Sequence, residues 1–156
     1  MRSGEVKKAS GFTLIELVVV IAVVMILGGA IIAALNPAGQ VRGARNTQRR
    51  AHAIVILNGV KLNMADHQGQ WTCAAYPAFA NTSTSISSAA ANIHDCLVPL
   101  YAPELPIDPV SGTFTSAADY DTGYDVYQEP APGSRVVVCA RYTEIPPANK
   151  ITCVVR

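Results

Sequence analysis

The sequence predicts an α+β protein in which one long N-terminal helix packs on a small antiparallel β-sheet. Two observations support this fold class: an apolar run near the N-terminus that leads into an amphipathic helical pattern, and strand-like segments separated by proline-containing turns near the C-terminus. Of the 156 residues, 50% are hydrophobic and 15% are charged, which excludes a disordered protein. Outside an anchor, about 120 residues remain, enough for one small domain.

A membrane-spanning helix is the first predicted element. The 19 residues from Leu17 to Leu35 carry no charge, and at about 1.5 Å per residue such a helix nearly matches a hydrocarbon core of roughly 30 Å. A secretory signal peptide is the alternative, but its apolar core is usually shorter, at about 7–15 residues. We therefore expect a retained anchor over residues 12–35.

The cysteines indicate how this anchor is oriented. Basic residues flank both ends of the apolar run, so charge alone does not set the orientation. All four cysteines lie in the C-terminal part without CxxC spacing, which favours disulfide bonds and an oxidising compartment. The short N-terminus is therefore expected in the cytoplasm and the C-terminal part outside it.

Glu16 is the one charged residue between residues 12 and 35. A carboxylate deep in a bilayer costs on the order of 2.5–3.5 kcal/mol on insertion scales, so such a residue suggests a function. One interpretation places it at the headgroup level, where it complements the helix dipole. The other is that cleavage after Gly11 gives Phe12 an ammonium group one helical turn from Glu16. Such a pair would form within one chain or between chains, and between chains it would set the register of lateral packing.

The segment Gly11-Phe12-Thr13-Leu14-Ile15-Glu16-Leu17, preceded by the basic Lys7-Lys8, resembles the class III signal peptide of type IV pilins and pseudopilins. The resemblance covers roughly residues 7–35. It implies that a prepilin peptidase cleaves between Gly11 and Phe12 and methylates the new amine of Phe12. It also implies that Glu16 pairs with the N-terminus of a neighbouring pilin subunit in a helical filament, and that assembly uses an inner-membrane platform protein and a cytoplasmic ATPase.

An amphipathic continuation of the helix is predicted for residues 36–66. Pro37 removes a backbone hydrogen bond and clashes with the preceding turn, so a kink is expected there. Four arginines follow Pro37 and lie largely off the apolar face of this helix, namely Arg42, Arg45, Arg49 and Arg50. They are expected either to be solvated near lipid headgroups or to pair with acids of another subunit. The apolar face, which is expected to pack on the sheet, is formed by Val41, Ala44, Gln48, Ala51, Val55, Asn58, Leu62 and Ala65.

A globular domain is predicted for residues 67–156. Residues 71–99 lack a strong period and are interpreted as a connecting loop with a short helix around residues 87–97. Strands are predicted at residues 123–129, 134–142 and 150–155, with turns at 130–133 and 145–149. This meander is similar to the pilin fold, and the Leu-Pro-x-Asp-Pro element at residues 105–109 is likewise similar to pilin-like proteins.

Two disulfide bonds are predicted as a hypothesis, one from strand register and the other as the remaining pair. If the last two strands form a hairpin centred on Pro146, Cys139 stands opposite Cys153, because both are equally distant from the turn. Cys73 and Cys96 would then close the preceding loop, which contributes roughly 3 kcal/mol in the chain-entropy model. Four cysteines allow three connectivities, and free buried thiols are the alternative.

A calcium site is the one candidate for a cofactor. Asp119, Asp121 and Asp125 place carboxylates at alternate positions, as calcium loops do, and some pseudopilins carry calcium in a comparable loop. No bidentate acid follows at the far end of the loop, and Asp-Gly clusters also occur in ordinary turns.

Catalysis and nucleic-acid binding have no support in the sequence. No HExxH, GxSxG, P-loop or nucleotide-binding fingerprint is present, so we predict that the protein is not an enzyme. The formal net charge of +1 gives no basis for DNA binding by bulk charge.

The function predicted from the sequence is that of a structural subunit of a type IV pilus or pilus-like filament. The alternative is a pseudopilin, or a minor or tip subunit of a type II secretion or DNA-uptake system that acts as a binding module. Both functions imply a single-pass inner-membrane protein whose C-terminal domain lies outside the cytoplasm and later becomes part of an extracellular or periplasmic filament.

Overall fold

The computed structural model describes residues 11–144 and 152–155. It divides into two compact units at the bond between Ala38 and Gly39, and each is described by itself. The described residues form three helices and five strands, in the order α1 Leu14–Leu35, α2 Pro37–Asp66, β1 Thr84–Ser87, α3 His94–Leu97, β2 Thr113–Ser116, β3 Asp119–Gln128, β4 Val136–Ala140 and β5 Thr152–Val155.

Helix α1 is long and apolar enough to cross a membrane over Leu14–Ile32, and this stretch is not buried inside the protein. The helix ends because Asn36 takes a left-handed conformation, with φ 43° and ψ 65°. Helix α2 begins immediately afterwards at Pro37, a position where the missing N–H group of proline costs nothing. The interruption expected at Pro37 is therefore a single non-helical residue between two helices.

Helix α2 packs on the sheet through a different face from the predicted one. The whole predicted face is exposed, and Val41, Val55 and Leu62 are 49%, 41% and 51% exposed. That prediction was wrong, because both faces of α2 carry apolar residues at helical spacing and the pattern does not say which of them meets the sheet. The residues that are buried are Arg49, Ala53, Ile56, Leu57, Gly59, Val60 and Asn63.

The sheet is antiparallel, with the strand order β1-β3-β4-β5 and with β2 also paired to β3. Strand β3 pairs with β1 along one edge, while β2 and β4 pair with its first and second halves along the other edge, so that Asp121 has partners on both sides, Ser87 and Thr113. The predicted meander of β3, β4 and β5 is confirmed, with β3 beginning four residues earlier than expected and β4 shorter than expected. The turn predicted at residues 145–149 lies outside the described residues.

Strands β1 and β2 were not predicted, and the interpretation of residues 71–99 as a loop without strands was wrong. Each strand has four residues and consists largely of serine and threonine, so neither shows a clear alternation of apolar and polar side chains. The short helix predicted around residues 87–97 is confirmed as the four-residue α3.

The hydrophobic core lies between α2 and the sheet. All five residues of β4 are buried, which makes it the most enclosed strand among the described residues. Burial of each large apolar side chain contributes about 1.5–3 kcal/mol, so this layer supplies most of the stability of the second unit. Its fully buried large side chains include Ile56, Leu57, Val60, Ile86, Tyr124, Val126 and Val138.

Candidate processing and assembly site

The segment before α1 is open to solvent at the bond that the sequence predicts to be cut. Gly11 and Phe12 are both exposed, and the Phe12 side chain is 85% exposed. A Cβ atom built on Gly11 would meet no other atom within 4 Å. This peptide bond therefore lies outside α1 and is exposed in the described structure.

Thr13 and Glu16 close the N-terminal end of α1 with a capping box. The amide of Glu16 donates a hydrogen bond to Thr13 Oγ1 at 3.3 Å. In return, Glu16 Oε2 accepts hydrogen bonds from the Thr13 amide at 3.2 Å and from the Thr13 hydroxyl at 3.0 Å. These bonds satisfy backbone donors that the helix leaves free, and they turn the carboxylate back toward the N-terminus.

This geometry changes one detail of the expected arrangement around Glu16. Helix α1 begins at Leu14, so Phe12 lies before the first helical turn rather than on a shared helix face. The carboxylate of Glu16 nevertheless reaches Thr13, the residue next to Phe12. Cleavage, methylation and pairing between subunits stay predictions.

The second unit contains a buried ion pair that the sequence analysis did not predict. Arg49 is 1% exposed, and its Nε atom donates to Asp108 Oδ2 at 2.5 Å. Its Nη1 atom also donates to Glu144 Oε2 at 2.9 Å and to Asn46 Oδ1 at 2.8 Å. The expectation that Arg49 is solvated or pairs with another subunit was therefore wrong. Asp108 belongs to the Leu-Pro-x-Asp-Pro element, which was the one signal in the sequence that marked this position.

The surroundings of Asp108 favour its charged form, which pairs with the guanidinium group of Arg49. Burial alone would raise the pKa of Asp108, but hydrogen bonds from Arg49, Ser111 and Val110 outweigh it and lower that pKa to about 2. The hydrogen bond to Asp108 in turn raises the pKa of Arg49, although burial opposes this. Gly123 has a φ of +79°, and a Cβ there would lie 2.6 Å from the Asp108 Cβ, so the close approach of β3 to this loop requires glycine.

Two of the three candidate calcium ligands are bound by an arginine. Arg141 Nε donates to Asp125 Oδ1 at 2.6 Å, and the Nη atoms of Arg141 donate to both carboxylate oxygens of Asp121 at 3.0 and 3.1 Å. Burial alone would raise the pKa of Asp121, but the hydrogen bonds from Arg141 lower it. Calcium binding at Asp119, Asp121 and Asp125 stays a prediction, and it would require Arg141 to release both carboxylates. Within residues 11–144 and 152–155, no group of three or more His, Cys, Asp or Glu side chains is arranged to hold a metal ion.

The four cysteines are joined in the two predicted pairs, of which strand register suggested the second. Cys73 is bonded to Cys96, with Cα atoms 5.4 Å apart. Cys139 of β4 is bonded to Cys153 of β5, and the two residues are direct partners in the sheet register. The first bond holds the segment after α2 to α3, and the second fastens the last strand to the sheet.

Comparison with known proteins identifies the N-terminal segment. Residues 6–32 match the family model described as the prokaryotic N-terminal methylation motif, which is the signature of type IV pilins and pseudopilins. The match covers the basic leader, the Gly11–Phe12 bond, the capping box and most of α1. No curated protein and no solved structure matches the chain.

Proposed function

We propose, on the premise that residues 6–32 form an N-terminal methylation motif of the pilin type, that this chain is a structural subunit of a type IV pilus or pilus-like filament. A prepilin peptidase processes it, and its N-terminal helix drives assembly. The observation that carries the proposal is the exposed Gly11–Phe12 bond followed directly by a capping box that turns Glu16 toward the cleavage point.

Cleavage creates the positively charged amine that pairs with the Glu16 carboxylate of a neighbouring subunit. Hydrolysis of the Gly11–Phe12 amide leaves a carboxylate on Gly11 and an ammonium group on Phe12, and methylation of that amine keeps its positive charge. Before cleavage, Thr13 satisfies Glu16 through the capping box. After cleavage, the carboxylate of one subunit pairs with the amine of its neighbour, and this pair fixes the register between two helices that are otherwise uniformly apolar.

The second unit contributes a rigid exterior rather than a reaction centre. Its two disulfide bonds tie the segment after α2 to α3 and β5 to β4, and the Arg49–Asp108 pair ties α2 to the loop before β2. A subunit that is extracted from a membrane and placed in a filament must keep its shape, and these links serve that need. The inner membrane, the assembly platform and the cytoplasmic ATPase are the partners that this function requires.

Mass spectrometry of the protein isolated from membranes tests the proposal. We expect the mature chain to begin at Phe12 with an N-methyl group and to contain two disulfide bonds. A chain that still begins at Met1, in cells with an active prepilin peptidase, would refute the processing step.

The variant Glu16→Ala tests the assembly step. It should insert into the membrane at least as well as the original chain, because an apolar side chain costs less there, but it should not polymerise. Glu5→Ala is the matched control, since it removes the same charge from the leader, which is absent after cleavage. Normal filament yield from Glu16→Ala would rule out the pairing model.

A further inference from the structure

We propose that a cavity in the second unit is a binding site for a neutral carbohydrate. The cavity lies where the C-terminal end of α2 meets residues 77–79 and the turn between β3 and β4, and its volume is about 440 Å³. Cavities of about 300–1,000 Å³ suit small-molecule ligands. All residues that line it belong to the second unit, so the site is independent of the proposed assembly role. We call it the Trp71 cavity, and its lining consists of Met64, Gly69, Gln70, Trp71, Pro77, Ala78, Phe79, Gln128 and Ser134.

The lining of the Trp71 cavity is uncharged. All nine lining residues, each within the described part of the chain, have neutral side chains. Glu129 and Arg135 follow Gln128 and Ser134 in sequence, but they pair with each other, with 2.8 Å between Arg135 Nε and Glu129 Oε2. Lys61 lines only the adjoining, smaller cavity. An ionised ligand would lose its hydration in the Trp71 cavity without gaining a countercharge, so the ligand that fits is neutral.

One wall of the Trp71 cavity is aromatic. The ring centroids of Trp71 and Phe79 are 4.8 Å apart, and the ring of Tyr76 meets Phe79 edge-on at 5.7 Å. The indole Nε1 atom of Trp71 donates a hydrogen bond to the backbone oxygen of Tyr76 at 2.7 Å. Phe79 is buried whereas Trp71 is only half-buried, so Trp71 contributes the larger open aromatic surface to the cavity.

The backbone on the C-terminal side of Trp71 is fixed by two further links. The side chain of Asn63, which is buried on α2, accepts a hydrogen bond from the Thr72 amide and donates one to the Thr72 oxygen, both at 3.1 Å. The next residue, Cys73, is bonded to Cys96. The aromatic wall is therefore formed before a ligand arrives, which reduces the entropy that binding costs.

The polar side chains of the cavity are two amides and one hydroxyl group. Gln70 and Ser134 are exposed, and Gln128 is half-buried. The Nε2 atom of Gln128 donates to the backbone oxygen of Ser134 at 2.8 Å, which fixes the orientation of the amide. The backbone amide of Gln128 donates to the Ala80 oxygen at 2.8 Å and ties the end of β3 to the segment that follows Phe79. The amide of Gln128 keeps its oxygen and one N–H group for a ligand.

A sugar ring matches both parts of this lining. The C–H groups on one face of a pyranose are weakly positive, and they pack on the negative face of an aromatic ring such as that of Trp71. The hydroxyl groups at the edge of the ring both donate and accept hydrogen bonds, as the side chains of glutamine and serine do. A purely apolar ligand would leave the amides without partners, which costs free energy. A neutral carbohydrate is therefore the class of ligand that satisfies all of these groups.

The fluorescence of Trp71, the one tryptophan of the chain, reports directly on the cavity. The full chain is purified in a polyoxyethylene detergent, which has no sugar headgroup to compete. Glucose, galactose, mannose, N-acetylglucosamine and their disaccharides are then titrated one at a time. We expect at least one of them to change the emission saturably at millimolar concentration. Sorbitol, which has the hydroxyl groups without the ring, and glucuronic acid, which is charged, should not. A saturable response to sorbitol, a stronger response to glucuronic acid, or none to any neutral sugar would overturn the proposal.

A matched pair of substitutions tests whether the sugar occupies the cavity. Ala78→Phe fills part of the space, and Ala75→Phe makes the same change at an exposed alanine outside the lining. Both variants keep Trp71 as the reporter. We expect Ala78→Phe to weaken the apparent affinity by about tenfold or more and Ala75→Phe to leave it unchanged. Equal affinities in the two variants would place the sugar elsewhere and contradict the site.

A second matched pair tests the polar side chains. Gln70→Ala removes an exposed amide of the lining, and Gln48→Ala makes the same change in the groove beside residues 103–107. Loss of one hydrogen bond should weaken sugar binding by about threefold to tenfold in Gln70→Ala, while Gln48→Ala should bind as the original chain does. Both positions are exposed, so the thermal unfolding midpoint should stay the same and show that the fold is intact. Undiminished binding by Gln70→Ala would refute its role in recognition.

Discussion

Arg49 Nε lies 2.5 Å from Asp108 Oδ2, and the two side chains are 1% and 0% exposed. The pair joins the middle of α2 to the loop that precedes β2, across 59 residues of sequence. Glu144 adds a second carboxylate to the same guanidinium group. The pair therefore fixes α2 to the loop that leads into the sheet.

Removal of Arg49 is expected to destabilise the second unit strongly. Arg49→Met leaves Asp108 buried without its cation, and loss of one partner of a buried pair costs about 3–5 kcal/mol. Arg50→Met is the control, because Arg50 is exposed and such surface changes stay within about 0.5 kcal/mol. Urea unfolding in detergent, followed by the fluorescence of Trp71, the one tryptophan of the chain, measures both. Equal effects of the two substitutions would show that the pair does not stabilise the fold.

The free energy of unfolding should fall as the pH is lowered through the range set by the pKa of Asp108. Its pKa is about 2 in the folded protein and about 3.9 in an unfolded chain. At pH values between these two pKa values, the unfolded state binds more protons than the folded state, so acid favours unfolding. The stabilisation from Asp108 is complete above the unfolded pKa and is lost as the pH falls through the folded pKa. Unfolding free energies measured from about pH 5 to about pH 2 should show this slope. Asp108→Asn should reduce the slope without abolishing it, because the pKa of Asp121 is also lowered. An identical slope in that variant would contradict the assignment.

Calcium should affect the chain only when Arg141 is absent. In the original chain the guanidinium group already binds Asp121 and Asp125, so a chelator should leave the thermal unfolding midpoint unchanged. Arg141→Ala frees both carboxylates, and millimolar calcium should then raise the midpoint, since a ligand that binds only the folded state stabilises it. Magnesium serves as the control ion. A midpoint that depends on calcium in the original chain would show that the ion displaces Arg141.

Loss of the bond between Cys73 and Cys96 should destabilise the folded state by about 3 kcal/mol in the chain-entropy model. The bond closes a loop with a sequence separation of 23, and it ties the segment after α2 to α3. The double variant Cys73→Ala, Cys96→Ala removes it without leaving a free thiol, and urea unfolding under non-reducing conditions measures the change. The matching double variant at Cys139 and Cys153 should lose slightly less, because its sequence separation is 14. No loss in either variant would contradict the model.

The sequence was sufficient wherever a local pattern determined the structure. The charge-free run predicted α1, and Pro37 marked the break after it, because hydropathy and backbone chemistry act within a few residues. The pairing of Cys139 with Cys153 followed from hairpin symmetry, since antiparallel register is fixed by the position of the turn.

The sequence was insufficient wherever a distant partner determined the structure. Arg49 was expected in solvent or paired with another subunit, because its carboxylate partner lies in another element and a single charged residue is usually exposed. The stripe from Val41 to Ala65 is an apolar helix face, but it is exposed and does not pack on the sheet as expected. Strands β1 and β2 form because they pair with opposite edges of β3, and their own residues carry little signal.

The bond between Cys139 and Cys153 also makes the subunit tolerant of proteolysis. If an external protease cuts the chain anywhere between these two cysteines, the terminal fragment with β5 remains covalently attached to the rest of the molecule. A nicked subunit would therefore migrate as one species on a denaturing gel until a reducing agent is added. Damage to that stretch of chain would not by itself release a piece of the protein.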